Sequence, residues 1–273
     1  MNGDLPAASV IVPTRRRPES LQRCLAAIEA LDYPRELVEV VVVDDEEGRG
    51  PAAARNQGIA RSTGELLAFT DDDCEPEPKW LALLARAIGD RERLAGGHTI
   101  NALTANRYSS ASQAIADAVY AHYNADPAKA RFVASNNLAG PRGAFERLGG
   151  FDERFHLAAG EDRDLCSRWL EQGGELVYVP GALVEHSHDL DLAGFWRQHY
   201  GYGRGTYLQR RFRAGRGEDF ELAPAAGSGI LSDAARQAVK ERRPSRLALL
   251  GVWQLANATG FGRQWIARRP RQK

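Results

Sequence analysis

Within the first 75 residues, three short aliphatic runs alternate with two helical stripes, and this order constrains the fold more than any other property of the chain. Residues 8–13 read as a short strand closed by Pro13. Leu21, Cys24, Leu25, Ile28 and Leu31 then recur at helical spacing. Residues 38–43 are almost wholly β-branched and end in Asp44 and Asp45, and an Ala-rich helix over 51–62 has a proline in its first turn. Residues 65–70 form a third strand that runs straight into Asp71, Asp72 and Asp73. Strand, helix, strand, helix, strand predicts an α/β chain: a Rossmann-like, mostly parallel sheet with right-handed crossovers and flanking helices.

The rest of the chain is less regular. The pattern predicts a helix over 78–88, a short strand over 97–100 and a helix over 108–123. A strand over 131–135 is expected to deliver Asn136 and Asn137 to a loop. Gly149 to Glu153 reads as a turn, and Gly160-Glu161-Asp162-Arg163-Asp164 opens a helix that Gly173 and Gly174 stop. A strand over 175–180 follows, then Val184, His186 and His188. Beyond Asp191 the chain turns helical and Arg-rich. One helix carries Phe195, Trp196, His199 and Tyr200 and is expected to end at the glycines of 201–205. A Gly/Ala/Pro-rich linker over 214–229 leads to an amphipathic segment over 245–267. The expected organisation is a domain over 1–190, with halves of about 1–100 and 101–190, and a basic, mainly helical C-terminal extension over 191–273.

The formal net charge of zero hides an asymmetry, because residues 191–273 hold sixteen Lys or Arg against six Asp or Glu. A basic end on an acidic body suggests an anionic partner such as a phospholipid surface. No nucleic-acid partner is expected, since no recognised binding motif accompanies the charge. Three scattered cysteines without metal-site spacing point to a reducing compartment. With no secretory leader and no run of ~18 apolar residues, the expected location is cytoplasmic, peripheral at the inner face of a membrane. The apolar face of Leu247, Leu250, Trp253 and Phe261 could support a homodimer.

Three consecutive carboxylates at a strand end repel one another unless something neutralises them. A divalent cation with oxygen ligands, carrying a phosphorylated substrate, would do so. The position fits, because ligands of open α/β sheets sit beyond the carboxyl ends of strands. Asp44 with Asp45, Glu161 with Asp162, and His186 with His188 fall at comparable places. Singly, each is also compatible with a polar turn, a helix-dipole acid or a surface histidine. In a parallel sheet all four groups would converge.

Val10-Ile11-Val12-Pro13-Thr14-Arg15, Val42-Val43-Asp44-Asp45, Ala54-Arg55-Asn56-Gln57-Gly58 and Phe69-Thr70-Asp71-Asp72-Asp73 follow one another in an order that resembles the family 2 glycosyltransferases, bacterial type. Gly149-Gly150-Phe151-Asp152-Glu153, Glu161-Asp162-Arg163-Asp164-Leu165 and Val184-Glu185-His186 complete the resemblance, which covers residues 8–190. It implies the GT-A fold and an inverting transfer from a nucleoside-diphosphate sugar to a saccharide, lipid-linked or small-molecule acceptor. It also implies a nucleotide pocket of Pro13, Thr14, Arg15 and Asp45, with Asp45 preferred to Asp44 for the base and Arg55 reaching base or phosphate. Asp71, Asp72 and Asp73 match the DxD motif, with Asp73 the direct ligand of Mn²⁺ or Mg²⁺ and the other two serving ribose and water-bridged contacts. His186 is the implied second ligand, with His188 as the fallback, and Asp162 the implied catalytic base. Glu46-Glu47-Gly48 departs from the Asp-Gly-Ser pattern common after the second strand. The alternatives are a nucleotidyltransferase acting on a sugar phosphate and a non-catalytic nucleotide-sugar binder. The former would want a glycine-rich phosphate loop after the first strand, and Pro13-Thr14-Arg15-Arg16-Arg17 has no glycine.

Overall fold

The computed structural model describes residues 5–217, 230, 232, 235, 236 and 244–267. Its strands are β1 (Ala8–Thr14), β2 (Val38–Asp44), β3 (Leu66–Phe69), β4 (Cys74–Pro76), β5 (Arg93–Asn101), β6 (Leu138–Pro141) and β7 (Glu175–His186). Its helices are α1 (Pro18–Glu29), α2 (Pro51–Arg61), α3 (Trp80–Ile88), α4 (Arg107–Tyr123), α5 (Arg142–Leu148), α6 (Glu161–Glu171), α7 (Leu192–Ala214) and α8 (Pro244–Ala267). The described residues divide into two compact units. One draws on Met1–Ala102, Tyr123–His156 and Asp162–His188, the other on Leu103–His122, Leu157–Glu161 and Asp189–Lys273.

The first unit is built on a sheet of order β2-β1-β3-β6-β5-β7-β4. β1 pairs in parallel with β2 and β3, and β5 with β7, whereas β6 and β4 run against their neighbours. The mostly parallel α/β expectation therefore holds. β1 is buried along almost its whole length, as a central strand covered on both faces must be, and the edge strand β2 alternates. Helix α2 lies against β1 because its residues are small. Ala52, Ala53 and Ala54 are buried, and a Cβ on Gly58 would come within 2.3 Å of the Ile11 side chain. This parallel part leaves the carboxyl ends of β1, β2 and β3 side by side, with Thr14 in register with Asp44.

Two expectations need correction. Residues 131–135 are not a strand: their backbone is held by the Asn124 side chain, which accepts from Arg131 N and Phe132 N and donates to Phe132 O. A single buried amide thus replaces a ladder, and the strand is β6, three residues further on. Nor do the glycines of 201–205 end a helix, because α7 runs unbroken through them. In this second unit α7 and α8 meet backbone to backbone. A Cβ on Gly203 would lie 2.1 Å from Asn257 O, and one on Gly260 would lie 2.0 Å from Tyr200 O. These glycines are spacing devices rather than breakers. Part of the linker expected over 214–229 lies outside the described residues, from 218 onward. No described helix is long and apolar enough to cross a membrane.

Gly203→Val should therefore destabilise the protein by about 1–3 kcal/mol through overpacking. Gly201→Ala, where a Cβ meets nothing within 4 Å, should be neutral or stabilising by up to ~1 kcal/mol. Thermal melts of the two variants check this, and equal melting temperatures would refute the spacing role.

Candidate active site

The three aspartates after β3 are held by four partners, one of them shared. Asp71 Oδ1 accepts from Arg55 Nη2 at 2.7 Å. Asp72 Oδ2 accepts from the Thr14 hydroxyl at 2.7 Å, at the end of β1. Asp73 turns Oδ1 to His186 Nε2 at 3.3 Å and Oδ2 to Arg17 Nη1 at 2.8 Å. Arg17 also reaches Asp72 Oδ1 at 3.3 Å. Beneath the acids, Phe69 packs edge-on against Phe145 and Phe151, with ring centroids 5.0 and 5.4 Å away. The strand end is thus anchored by aromatic contacts, and of its acids Asp71 is partly exposed while Asp72 is buried.

His186 reaches this place through topology. β4 pairs with β7 antiparallel and sets Cys74 opposite His186, so the preceding residue, Asp73, lies beside the imidazole. Ser187 N donates to Asp73 O at 2.9 Å and fixes the register. Asp73, Cys74 and His186 each offer one ligand atom within 4.8 Å of the others. Burial holds the Cys74 thiol well above its ordinary pKa, so it stays protonated. That leaves a carboxylate and an imidazole, donors that fit an ion such as Mn²⁺ better than one wanting thiolate. Burial opposes the charge on Asp73, but His186 and Arg17 outweigh it and hold the carboxyl well below its usual range. Burial likewise opposes protonation of His186, and Asp73 overcomes it, raising that pKa. The His188 ring centroid lies 5.0 Å from that of His186.

Arg55, expected to reach base or phosphate, is held otherwise. Its side chain is 3% exposed, paired with Asp71 and set over the Phe151 ring at 5.5 Å. The next residue, Asn56, clamps the 149–153 turn. Its Oδ1 accepts from Phe151 N at 2.8 Å, and its Nδ2 donates to Phe151 O at 2.9 Å and to Glu153 Oε1 at 3.0 Å. Gly150 has φ +71, and a Cβ there would lie 2.3 Å from Asn56 Oδ1. The Arg55-Asn56 pair and the Gly-Gly-Phe-Asp-Glu turn are therefore one structural device, separated in sequence and joined in space.

Asp45 accepts from Arg49 N and Gly50 N, each at 2.8 Å, and so closes the loop after β2. Asp44 is exposed. Arg15 lies over Gly48 of that loop, with its guanidinium 2.7 Å from where a Cβ would stand. Pro13 is half-buried within β1. Asp162 is the second residue of α6, and its Oδ1 accepts from Arg163 N at 2.7 Å. Burial raises its pKa and Asp71 adds to the rise, while Arg163 and Arg55 act against it. Asp162 thus lies within electrostatic reach of Asp71 and Arg55. Arg163 sits over Tyr123 and Phe132, 5.4 and 5.1 Å from their ring centroids. Fully buried Asp164 pairs with Arg168, which donates onward to Leu148 O and Gly150 O and fastens α6 to the same turn.

Sequence reasoning assigned no role to Arg17, Asn56 or Arg168. The run Arg15-Arg16-Arg17 beside a strand end was the available signal for the first, but nothing local distinguishes which arginine turns inward.

Helices packed around a mostly parallel sheet, with acids gathered beyond the ends of β2 and β3, define an open α/β fold. Among solved structures, the chain is similar to a mannosyltransferase from Pyrobaculum calidifontis, at a TM-score of 0.69 and 18% identity, covering 97% of this chain and 88% of that one. It is also similar to GalNAc-T7, at a TM-score of 0.56 and 15% identity, covering 90% of this chain and 58% of that one. Residues 45–149 match the family described as Glycosyl transferase family 2. Relatives include a pre-mycofactocin glycosyltransferase of Mycobacterium tuberculosis, 27% identical over 71% of this chain and 46% of its own length. Another is glycosyltransferase AglE of Haloferax volcanii, 28% identical over 80% of this chain and 75% of its own. The chain spans about half the length of the mycobacterial relative. The chain has the GT-A fold of these solved structures, and its residues 45–149 are similar to family 2 glycosyltransferases.

Arg55→Met should leave Asp71 without its partner and lower stability, by less than the ~3–5 kcal/mol of a fully buried broken pair because Asp71 is partly exposed. Chemical denaturation checks this, and an unchanged midpoint would remove the structural role assigned to Arg55.

Proposed function

We propose that this chain moves a sugar from a nucleoside-diphosphate sugar to an acceptor hydroxyl with inversion, using Asp162 as general base. The observation that carries the reading is that a partly buried aspartate in the first turn of α6 lies within electrostatic reach of Asp71, the first of the acids after β3. The similar solved structures add support: the mannosyltransferase is described with GDP-Man and Mn²⁺, and GalNAc-T7 with UDP, GalNAc and Mn²⁺.

Asp73 and His186 would hold the divalent cation, Mn²⁺ or Mg²⁺, whose chemistry is Lewis-acid stabilisation of the departing diphosphate. Thr14 and Arg55 keep Asp72 and Asp71 fixed beside it. Pro13, Thr14, Arg15 and the loop closed by Asp45 would line the nucleotide. Asp162 takes the acceptor's proton as the new C–O bond forms. The bond from the anomeric carbon to the diphosphate breaks on the opposite face, and the nucleoside diphosphate keeps that electron pair. A neutral hydroxyl is a poor nucleophile, so proton removal in the transition state is worth ~10²–10⁴ in rate. A base whose pKa burial has raised is also a better proton acceptor than an ordinary aspartate, provided it is still ionised at working pH.

Asp162→Asn should lose ~10²–10⁴ in kcat while nucleoside-diphosphate affinity, read by calorimetry, stays within about twofold. Near-normal turnover would remove Asp162 as the base. The acid limb of the wild-type kcat profile should lie above the ordinary aspartate value of about 4, with rate falling as pH drops through it and Asp162 becomes protonated. A limb at or below that value would contradict the raised pKa.

A further inference from the structure

Two arginines neutralise the aspartates after β3, and they are built differently. Arg55 is buried at 3% side-chain exposure, over the Phe151 ring, with its guanidinium on Asp71. Arg17 stands at the mouth of the site with its side chain 54% exposed, yet it reaches both Asp72 and Asp73. It occupies the position just before α1, where it makes no side-chain cap. The turn that brings it there passes through Arg16 at φ +55, the single non-glycine residue with positive φ among the described residues. That conformation is disfavoured for a residue with a Cβ and tends to persist where function requires it. The turn therefore spends conformational strain at the point where Arg17 is turned toward the acids.

Charge accounting gives the contact a consequence. Three carboxylates meet two guanidinium groups, and Asp73 Oδ2 is engaged by Arg17 while Oδ1 faces His186. A dication arriving at Asp73 and His186 alone would sit beside Arg17 and be repelled by it. A dication arriving with a nucleoside diphosphate brings the anion that a released guanidinium can take up, by charge-assisted hydrogen bonds to phosphate oxygens. Arg55 cannot make that exchange, because its burial fixes it.

Building on the function proposed above, we propose that Arg17 is a transferable counter-ion: it guards Asp72 and Asp73 against metal alone, and it moves to the donor diphosphate when metal and nucleotide bind together. Arg17 is thus a positioning residue that couples the two ligands, and the coupling is a reciprocal free energy between them. The test measures the affinity for Mn²⁺ alone, by the electron paramagnetic resonance of the free ion, and again with saturating UDP or GDP. It uses the wild type, Arg17→Ala and Arg17→Lys, each checked for fold by circular dichroism. Arg17→Ala should bind Mn²⁺ alone more tightly, by ~3-fold or more, and bind nucleotide with saturating Mn²⁺ more weakly, by about 10-fold. The factor by which nucleotide tightens Mn²⁺ should therefore collapse in this variant and be intermediate in Arg17→Lys, which keeps the charge but loses the fork. If wild-type protein binds no Mn²⁺ with or without nucleotide, the function proposed above fails. If wild type binds but Arg17→Ala shows the same or weaker affinity for Mn²⁺ alone, or an unchanged nucleotide effect, the transferable counter-ion is overturned.

Discussion

Three adjacent carboxylates at the end of β3 set the terms for everything around them. Two like charges ~4 Å apart cost about 4 kcal/mol at the effective dielectric of a protein surface, so the run cannot be left unattended. Its partners come from separate stretches: Arg55 from α2, Thr14 from β1, Arg17 from the turn before α1, and His186 from the last residue of β7. The charge of the acids and the packing of the first unit therefore support each other, since neither the ion pairs nor the short β4–β7 ladder has a partner until the sheet is assembled.

The weakest-looking part of that assembly has a strong local support. β4 contributes only three residues, yet it fixes where His186 stands relative to Asp73. β7 is held to β5 across an irregularity between Gly97 and His98, and Asn137 fills that gap. Its Oδ1 accepts from Trp80 Nε1 and Gly97 N, and its Nδ2 donates to His98 O and Ala182 O. An amide that makes all four bonds while fully buried specifies one register, because any slip would strand several polar groups at once. A fold-level irregularity is thereby converted into a fixed distance at the site.

The parts legible in the sequence were those with local cause. β1, β2 and β3 are largely apolar runs, and the acids that end β2 and follow β3 had to fall at one edge once the strands paired in parallel. The roles of Asn56, Asn137 and Arg17 were invisible, because an amide or guanidinium acquires its meaning from a partner 40 to 95 residues away. Glycine misled in α7 for a related reason. A helix interior normally disfavours it by ~1 kcal/mol, so a cluster reads as a stop, unless a second helix needs the room. Residues 131–135 misled in the opposite direction: an apolar β-prone run lost its ladder to one side chain, that of Asn124.

The same accounting bears on the role proposed for Asp162, which stands among several cations. A carboxylate flanked closely by arginines would be held ionised but would be a weak proton acceptor. Here the guanidinium of Arg163 is drawn onto Tyr123 and Phe132, and that of Arg55 is committed to Asp71. Both still act on Asp162 at longer range, against burial and the like charge of Asp71, and the balance leaves its pKa raised. Committing each cation to another partner thus leaves burial free to raise the pKa of this carboxylate, the direction the proposed proton removal requires. The chain carries equal numbers of Asp plus Glu and of Lys plus Arg, and what distinguishes the site is how unevenly it shares them.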